Sequence, residues 1–265
     1  MREALDVDDQ LELALQPMID LVAGEPTGVE ALIRWRHPRR GRLTPADFIR
    51  TVEGSELLGA FTRYVVDKAL EVAAEWVRHG LDVPISINLS ARSLLDPRLP
   101  AEVAESLRRH QVPAHRLVLD ITETVVMSEL KVIDEVLSAL RTMGVQLALS
   151  DFGTGSSSLT FLTRVPANEL EIDRSFVARM AESPEVAAIV RTIVDLGSGT
   201  GAAGGGRGGG ARRPAGRARR AGLYGRPGVP HFFRPMPSDK IVAVLRSLLD
   251  SAQARILPLR AEGAS

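Results

Sequence analysis

The chain has 265 residues, of which 45% are hydrophobic and 25% charged, with 33 basic and 33 acidic side chains and no cysteine. This composition is typical of a soluble globular protein, and it excludes disulfides, thiolate zinc sites and cysteine nucleophiles. No apolar run approaches the ~18 residues that a membrane span needs, and the acidic N-terminus does not resemble a signal peptide. We therefore expect a cytoplasmic protein without a membrane segment.

Short apolar runs rich in β-branched residues alternate with longer amphipathic segments along most of the chain. The short runs predict strands at 11–17, 28–35, 83–90, 116–122, 145–150 and 167–173. The amphipathic segments predict helices at 45–54, 58–79, 97–109, 129–143, 184–196 and 238–250. This alternation indicates repeated βα units, and hence a parallel sheet that is either a closed barrel or open.

Polar side chains cluster at the ends of the predicted strands. They are Glu30, Arg34, Asn88, Asp120, Glu123, Asp151, Glu171 and Asp173. For any one acid alone, a solvated rim residue or a helix cap is the favoured interpretation. Because the carboxyl ends of parallel strands meet at one pole, the set together favours a site for a hard divalent cation such as Mg²⁺ or Mn²⁺.

Five motifs give the chain a family resemblance. They are "EALIRWRHP" (30–38), "INLSARSL" (87–94), "DITET" (120–124), "SDFGTGSSSL" (150–159) and "EIDRSFV" (171–177). In order and spacing they resemble the EAL domain, a family of bacterial cyclic-di-GMP phosphodiesterases, and the resemblance resumes at "FFRPMPSDKIVAVL" (232–245). It implies a (β/α)8 TIM-like barrel at residues 11–250, between a lead-in (1–10) and a C-terminal tail (251–265).

The resemblance also implies a site and a reaction. Two cations, Mg²⁺ or Mn²⁺, would activate water to open one phosphodiester of cyclic-di-GMP, giving linear pGpG. The implied metal ligands are Glu30, Asn88, Asp120 and Asp151. The implied substrate contacts are Gln16, Leu32 and Arg34. Glu123 would hold the loop 151–159, through which family members form homodimers. We expect no nucleic-acid partner, since the body of the chain is mildly acidic.

The chain departs from the family pattern at several site positions. Asp120 replaces a glutamate, Ser150 replaces the first of two aspartates, and Glu171 replaces the catalytic lysine. Ser150 should weaken metal binding, because a hydroxyl is a poor substitute for a carboxylate on a dication. No catalytic residue is then intact. Two hypotheses follow: a phosphodiesterase with impaired or lost activity, or a degenerate domain that binds cyclic-di-GMP or a protein partner.

A glycine- and arginine-rich segment, 197–228, holds seven arginines, 13 of the 23 glycines and no acid. It stands where the family has a strand, a helix and its "AEGVE" and "QGY" motifs. A nucleic-acid-binding tail is disfavoured by the single aromatic, Tyr224. A flexible linker would fit the composition but would remove a strand and a helix from the barrel.

A third interpretation of the segment is a shifted reading frame. Read one base later, the codons of 221–231 permit "LGC-(M/T)-DVQGYH", and those from 199 onward permit "ALGLRVVAEGVEH". Both missing motifs thus reappear at their expected places. We therefore interpret 198–230 as frame-shifted sequence and expect it to be disordered or non-native, because it has few apolar side chains to bury.

Overall fold

The computed structural model describes residues 1–6, 10–19, 26–122, 130–152, 167–172, 179–180, 182–199, 217–219 and 235–261. The strands in these ranges are β1 (Leu11–Ile19), β2 (Pro26–His37), β3 (Gly41–Leu43), β4 (Ile85–Leu89), β5 (Leu117–Thr122), β6 (Gln146–Phe152), β7 (Glu169–Ile172) and β8 (Arg217–Arg219). The helices are α1 (Arg2–Asp6), α2 (Pro45–Glu53), α3 (Leu58–Arg78), α4 (Leu99–His110), α5 (Leu130–Thr142), α6 (Pro184–Gly199) and α7 (Ser238–Ala261). Every strand and helix predicted from the sequence is present, and α7 continues past the predicted end at 250.

The chain divides into two compact units. The first contains Met1–Asn88, Arg98–Val118 and Phe233–Ser265, and the second contains Leu89–Pro97 and Leu119–Phe232. The assignment of 11–250 to one domain stays a prediction. None of the described helices is both long enough and apolar enough to cross a membrane.

The sheet of the first unit departs from the expected parallel arrangement at its first strand. β1 pairs with β2 in antiparallel register, from Leu11 opposite Trp35 to Ile19 opposite Pro26. β3 also pairs antiparallel with β2, whereas β4 is parallel to it. The expectation of a wholly parallel sheet is therefore wrong for β1. Only the six residues 20–25 join β1 to β2, too few for the crossover that a parallel pair requires.

The other edge of β1 is also paired. Leu15 N–H donates to the carbonyl of Met236 at 2.7 Å, and Met236 N–H donates back to the carbonyl of Leu15 at 2.8 Å. This antiparallel bridge lies directly before α7, and Leu15, Ile241 and Leu245 are all fully buried. The segment "RPMPSDK", where the family resemblance resumes, is thus part of the first unit.

The second unit places β7 parallel to both β6 and β8. β8 falls inside the segment that we expect to be disordered or non-native, and α6 also reaches into it as far as Gly199. Three residues, Arg217–Arg219, therefore form a strand within that segment. Residues 200–216 and 220–230 lie outside the described residues, as do Glu123 and most of the loop 151–159, so the predictions for them stay predictions.

Helices α3 and α4 pack against each other and are joined by one carboxylate. Asp67 Oδ1, on α3, accepts hydrogen bonds from three residues of α4: Ser106 Oγ at 2.5 Å, Arg109 Nη1 at 3.0 Å and His110 Nε2 at 3.0 Å. Partial burial alone would raise the pKa of Asp67. The hydrogen bonds from Ser106 and His110 and the charges of His110 and Arg109 outweigh it, so the pKa is lowered.

Because the folded state lowers this pKa, the Asp67 carboxylate should stabilise the fold fully above its ordinary pKa of about 4, and lose that contribution as the pH falls through the lowered pKa. We expect Asp67→Asn to lower the free energy of unfolding by about 1–2 kcal/mol at pH 7. The deficit should shrink as the pH falls through the lowered pKa. Urea unfolding at a series of pH values tests this. Glu71→Gln, an exposed change on α3, is the control, and a deficit that does not depend on pH would contradict the assignment.

Candidate functional site

The motif "EALIRW" lies on β2, and its side chains alternate between two environments. Val29, Ala31 and Ile33 are buried, whereas Glu30, Leu32 and Arg34 are only half-buried. This is the period of two that a strand imposes on its side chains. The alternation places Glu30, Leu32 and Arg34 on one face of the sheet, away from the core residues of the same strand.

The antiparallel register of β1 adds Gln16 to this face. Gln16 lies opposite Glu30, Ala14 opposite Leu32, and Glu12 opposite Arg34. Directly opposed residues of paired strands point to the same side of a sheet. Four predicted site residues, Gln16, Glu30, Leu32 and Arg34, thus share one surface, which we call the polar face.

Asn88 joins the polar face through a hydrogen bond. β4 runs parallel to β2 with Ser86 opposite Glu30, so Asn88, two residues further, lies on the same side. Its Nδ2 donates to Glu30 Oε1 at 2.8 Å. Two residues that the sequence predicts as metal ligands, 58 positions apart, are therefore in direct contact. Because the amide nitrogen faces Glu30, the carbonyl oxygen of Asn88 is the atom suited to a cation.

Arg34 places a positive charge on the polar face, next to Glu30 and Glu12. Its Nη1 donates to the carbonyl of Ile33 at 2.9 Å, which restrains the guanidinium. Burial, followed by the charge of Arg42, lowers its pKa, while the charges of Glu30 and Glu12 act in the opposite direction. Arginine titrates so far above neutrality that the side chain remains charged, as recognition of a phosphate oxygen requires.

The second unit holds the other predicted ligands. Asp120, on β5, is 2% exposed and lies between the fully buried Leu119 and Ile121. Asp151 on β6 and Glu171 on β7 are described only as parts of their strands. A solvated rim carboxylate would be exposed, so the burial of Asp120 argues against that alternative for this residue.

Ser150 precedes Asp151 on β6 and is 7% exposed. Its Oγ is buried and accepts or donates no hydrogen bond among the described residues. A buried hydroxyl without a partner costs about 1–3 kcal/mol, and such groups in folded proteins tend to mark functional positions. Ser86 on β4, opposite Glu30, also has a buried Oγ without a hydrogen-bond partner among the described residues. Ser86 is two residues before Asn88 on the same strand, so its side chain points to the same side as that of Asn88. This signal was present in the sequence, but Ser86 was not predicted as a site residue.

The donor chemistry of these residues fits a hard dication, since carboxylate and amide oxygens are the ligands that Mg²⁺ and Mn²⁺ prefer. Glu30 and Asn88 are in contact in the first unit. No cluster of three or more histidine, aspartate or glutamate side chains with metal-ligand geometry occurs in the described ranges. The four-residue ligand set of Glu30, Asn88, Asp120 and Asp151 therefore stays a prediction.

Comparisons with known proteins agree with the motifs. The family model of the EAL domain matches residues 1–203. The bifunctional diguanylate cyclase/cyclic di-GMP phosphodiesterase MucR of Pseudomonas aeruginosa is 39% identical over 198 residues, which cover 74% of this chain and 29% of MucR. The cyclic di-GMP phosphodiesterase PA2567 of the same organism is 31% identical over 198 residues, which cover 75% of this chain and 34% of that protein.

Solved structures give the same result for the fold. The structure of the PaMucR phosphodiesterase in a c-di-GMP complex matches with a TM-score of 0.69 and 38% identity, over 75% of this chain and 81% of that one. The predicted fold class, the α/β TIM-like barrel of the EAL type, is thereby confirmed. The chain spans only about a quarter to a third of the length of the curated relatives it matches.

Proposed function

Because the chain belongs to the EAL domain family, we propose that it is a cyclic-di-GMP phosphodiesterase domain that binds the dinucleotide on the polar face but hydrolyses it poorly. The observation that carries the binding half of this proposal is the gathering of Gln16, Glu30, Leu32 and Arg34 on one surface, with Asn88 bonded to Glu30. The relatives named above are phosphodiesterases by name, and one is solved with the dinucleotide.

Each residue of the polar face suits one part of a cyclic dinucleotide. Arg34 offers a fork of N–H donors to the oxygens of a phosphodiester. Leu32, two residues before it on β2, offers apolar surface to a sugar or base. Gln16, on β1, offers both an amide donor and an acceptor, which suits the polar edge of guanine. The ligand carries two negative charges, and the guanidinium of Arg34 has the opposite charge.

EAL phosphodiesterases depend on divalent metals in general. In this chain we propose that Glu30, Asn88, Asp120 and Asp151 hold Mg²⁺ or Mn²⁺. When bound, such an ion lowers the pKa of a water and neutralises charge on the phosphate. The Asn88–Glu30 hydrogen bond orients both ligands before any ion binds, and this reduces the entropy lost on binding.

We expect weak turnover because three groups of the family's site are changed or missing, at Ser150, at Glu171 and in the segment 198–230. Ser150 supplies no charge beside Asp151, so we expect weaker metal binding. Glu171 places a negative charge where the family motif has a positive one, and this repels a phosphate instead of attracting it. The family's "AEGVE" glutamate, which would act as a general base or bind a metal, is missing. Losses within one cooperating site compound, because each group depends on the position of the others.

Calorimetric titration with cyclic-di-GMP, and chromatography of the same mixtures after incubation with Mn²⁺, test the two halves separately. We expect saturable binding of the dinucleotide, with formation of linear pGpG below about a hundredth of the rate of an intact family member. Absence of binding would overturn the proposal. Turnover comparable with the intact enzyme would leave the substrate assignment in place but disprove the loss of catalysis.

Arg34 offers the most direct mutational test of the binding face. Arg34→Ala removes a charge-assisted contact with the phosphate, so we expect the Kd for cyclic-di-GMP to rise about 10- to 100-fold. Arg78→Ala, at the end of α3, removes one positive charge away from this face and serves as the control. Equal affinity of the two variants in calorimetry would show that the dinucleotide does not bind at Arg34.

A further inference from the structure

A cationic cluster extends the polar face beyond Arg34. The turn between β2 and β3 is rich in arginine, and the paired strands place Arg36 directly opposite Arg42. Glu12 of β1 binds both: its Oε2 contacts Arg36 Nη2, and its Oε1 lies 3.0 Å from Arg42 Nη2. One carboxylate thus holds two guanidinium groups together.

This cluster is continuous with the proposed nucleotide site. Glu12 lies opposite Arg34 in the β1–β2 register, and Arg36 follows Arg34 by two residues, so all three side chains share the polar face. The charge of Arg42 contributes, after burial, to the lowered pKa of Arg34. Arg34, Arg36 and Arg42 carry three positive charges, and Glu12 and Glu30, which both act on Arg34, carry two negative charges. The net charge at this end of the face is therefore about +1.

The stability of the fold does not explain this arrangement. The side chains of Arg36 and Arg42 are 68% and 61% exposed. Ion pairs that are this exposed contribute little to folding, and like charges on directly opposed residues are unfavourable. An excess of positive charge fixed in place by one acid is what a surface needs in order to attract an anion.

We propose that Arg36 and Arg42, held by Glu12, form a steering pair that attracts the phosphodiester groups of the incoming nucleotide and delivers them to Arg34. This inference rests on the proposed function, since it assumes that the nucleotide binds at the polar face. Such a pair acts on the rate of association, because its attraction operates at a distance and through solvent. It has little effect on dissociation, because exposed charges gain little once the ligand is bound.

Stopped-flow mixing of the whole chain with a fluorescent cyclic-di-GMP derivative tests this. In the Arg36→Gln/Arg42→Gln variant we expect the association rate constant to fall about three- to tenfold at low salt, with the dissociation rate unchanged. The difference should vanish at about 0.5 M NaCl, where the Debye length is only a few ångströms. Glu12→Gln should raise the association rate about twofold at low salt, because it increases the net positive charge.

The control is Arg63→Gln/Arg78→Gln, which removes two exposed arginines from α3. If both double variants show the same association rate and the same salt dependence, the steering pair is disproved. A slower association that persists at high salt would also disprove it, because the effect would then be structural. If the unmodified chain shows no saturable signal with the dinucleotide, the proposed function itself fails. These two failures are therefore distinguishable.

Discussion

Restoring the reading frame over residues 198–230, together with Ser150→Asp and Glu171→Lys, is expected to raise the turnover of cyclic-di-GMP by about 10³-fold or more. The restored frame permits the "AEGVE" and "QGY" motifs, which would supply a proton-transferring glutamate and a guanine contact. The two substitutions return a metal-binding carboxylate and a cation that attracts the phosphate. Formation of linear pGpG, measured by chromatography with Mn²⁺ present, is the readout.

The matched controls separate the contributions to this result. Ser150→Asp and Glu171→Lys without the restored frame should produce almost no turnover, because the site would still lack its glutamate and its guanine contact. The chain with the restored frame but without the two substitutions should still turn over cyclic-di-GMP slowly, because Ser150 weakens metal binding and Glu171 repels the phosphate. Full activity in the doubly substituted chain alone would show that 198–230 contributes nothing to catalysis.

The same hypothesis makes a prediction about the gene. Sequencing of codons 190–240 should show a one-base change near codon 198 and a compensating change near codons 231–234. The family model stops matching at residue 203, within a few residues of the point where we place the first change. The Leu15–Met236 bridge falls just after the second, where the expected sequence resumes. An independently confirmed frame through the segment would disprove the shift.

The second large effect is expected from Ser150→Asp alone. Ser150 is 7% exposed, so the new carboxylate would be buried, in a strand that neighbours the strand of the buried Asp120. Without a cation we expect the free energy of unfolding to fall by about 3 kcal/mol or more, because a buried charge is left uncompensated. Mn²⁺ should restore much of this loss, since an ion that binds only the folded state stabilises it.

Thermal unfolding with and without Mn²⁺ measures both halves of this prediction. Ser150→Asn has a similar volume but no charge, so it should be only mildly destabilised and should not respond to the ion. A Tm of the Ser150→Asp chain that is unaffected by Mn²⁺ would show that position 150 does not lie at a metal site. In that case the assignment of Asp151 as a ligand would also lose its support.

The elements were predictable because their signals are local. From Val29 to Trp35, buried and half-buried residues alternate along β2. Thr44 caps the N-terminus of α2, Pro45 is the first residue of the helix, and Asp47 accepts a hydrogen bond from Thr44 N–H at 2.7 Å. Periodicity identifies such elements but gives no strand direction. The antiparallel β1 was therefore missed, although the short connection 20–25 contained the signal. β3, with three residues, is too short to show any period.

The candidate site was predictable only as a set of positions. The shared face of Glu30, Leu32 and Arg34 follows from alternation within one strand. The contact between Asn88 and Glu30 depends on the parallel register of β2 and β4, which no local pattern specifies. The role of Glu12 depends in the same way on two strand registers and on the turn between β2 and β3.

The bridge between Leu15 and Met236 has a consequence for the synthesis of the chain on the ribosome. The first unit includes residues from both ends of the sequence, so it cannot complete its fold until α7 has been translated. During that interval the edge of β1 at Leu15 lacks its bridge to Met236, and exposed edges invite pairing with other chains. The whole glycine- and arginine-rich segment is synthesised in the same interval. Nascent chains should therefore be prone to pair with one another at this edge until α7 has emerged.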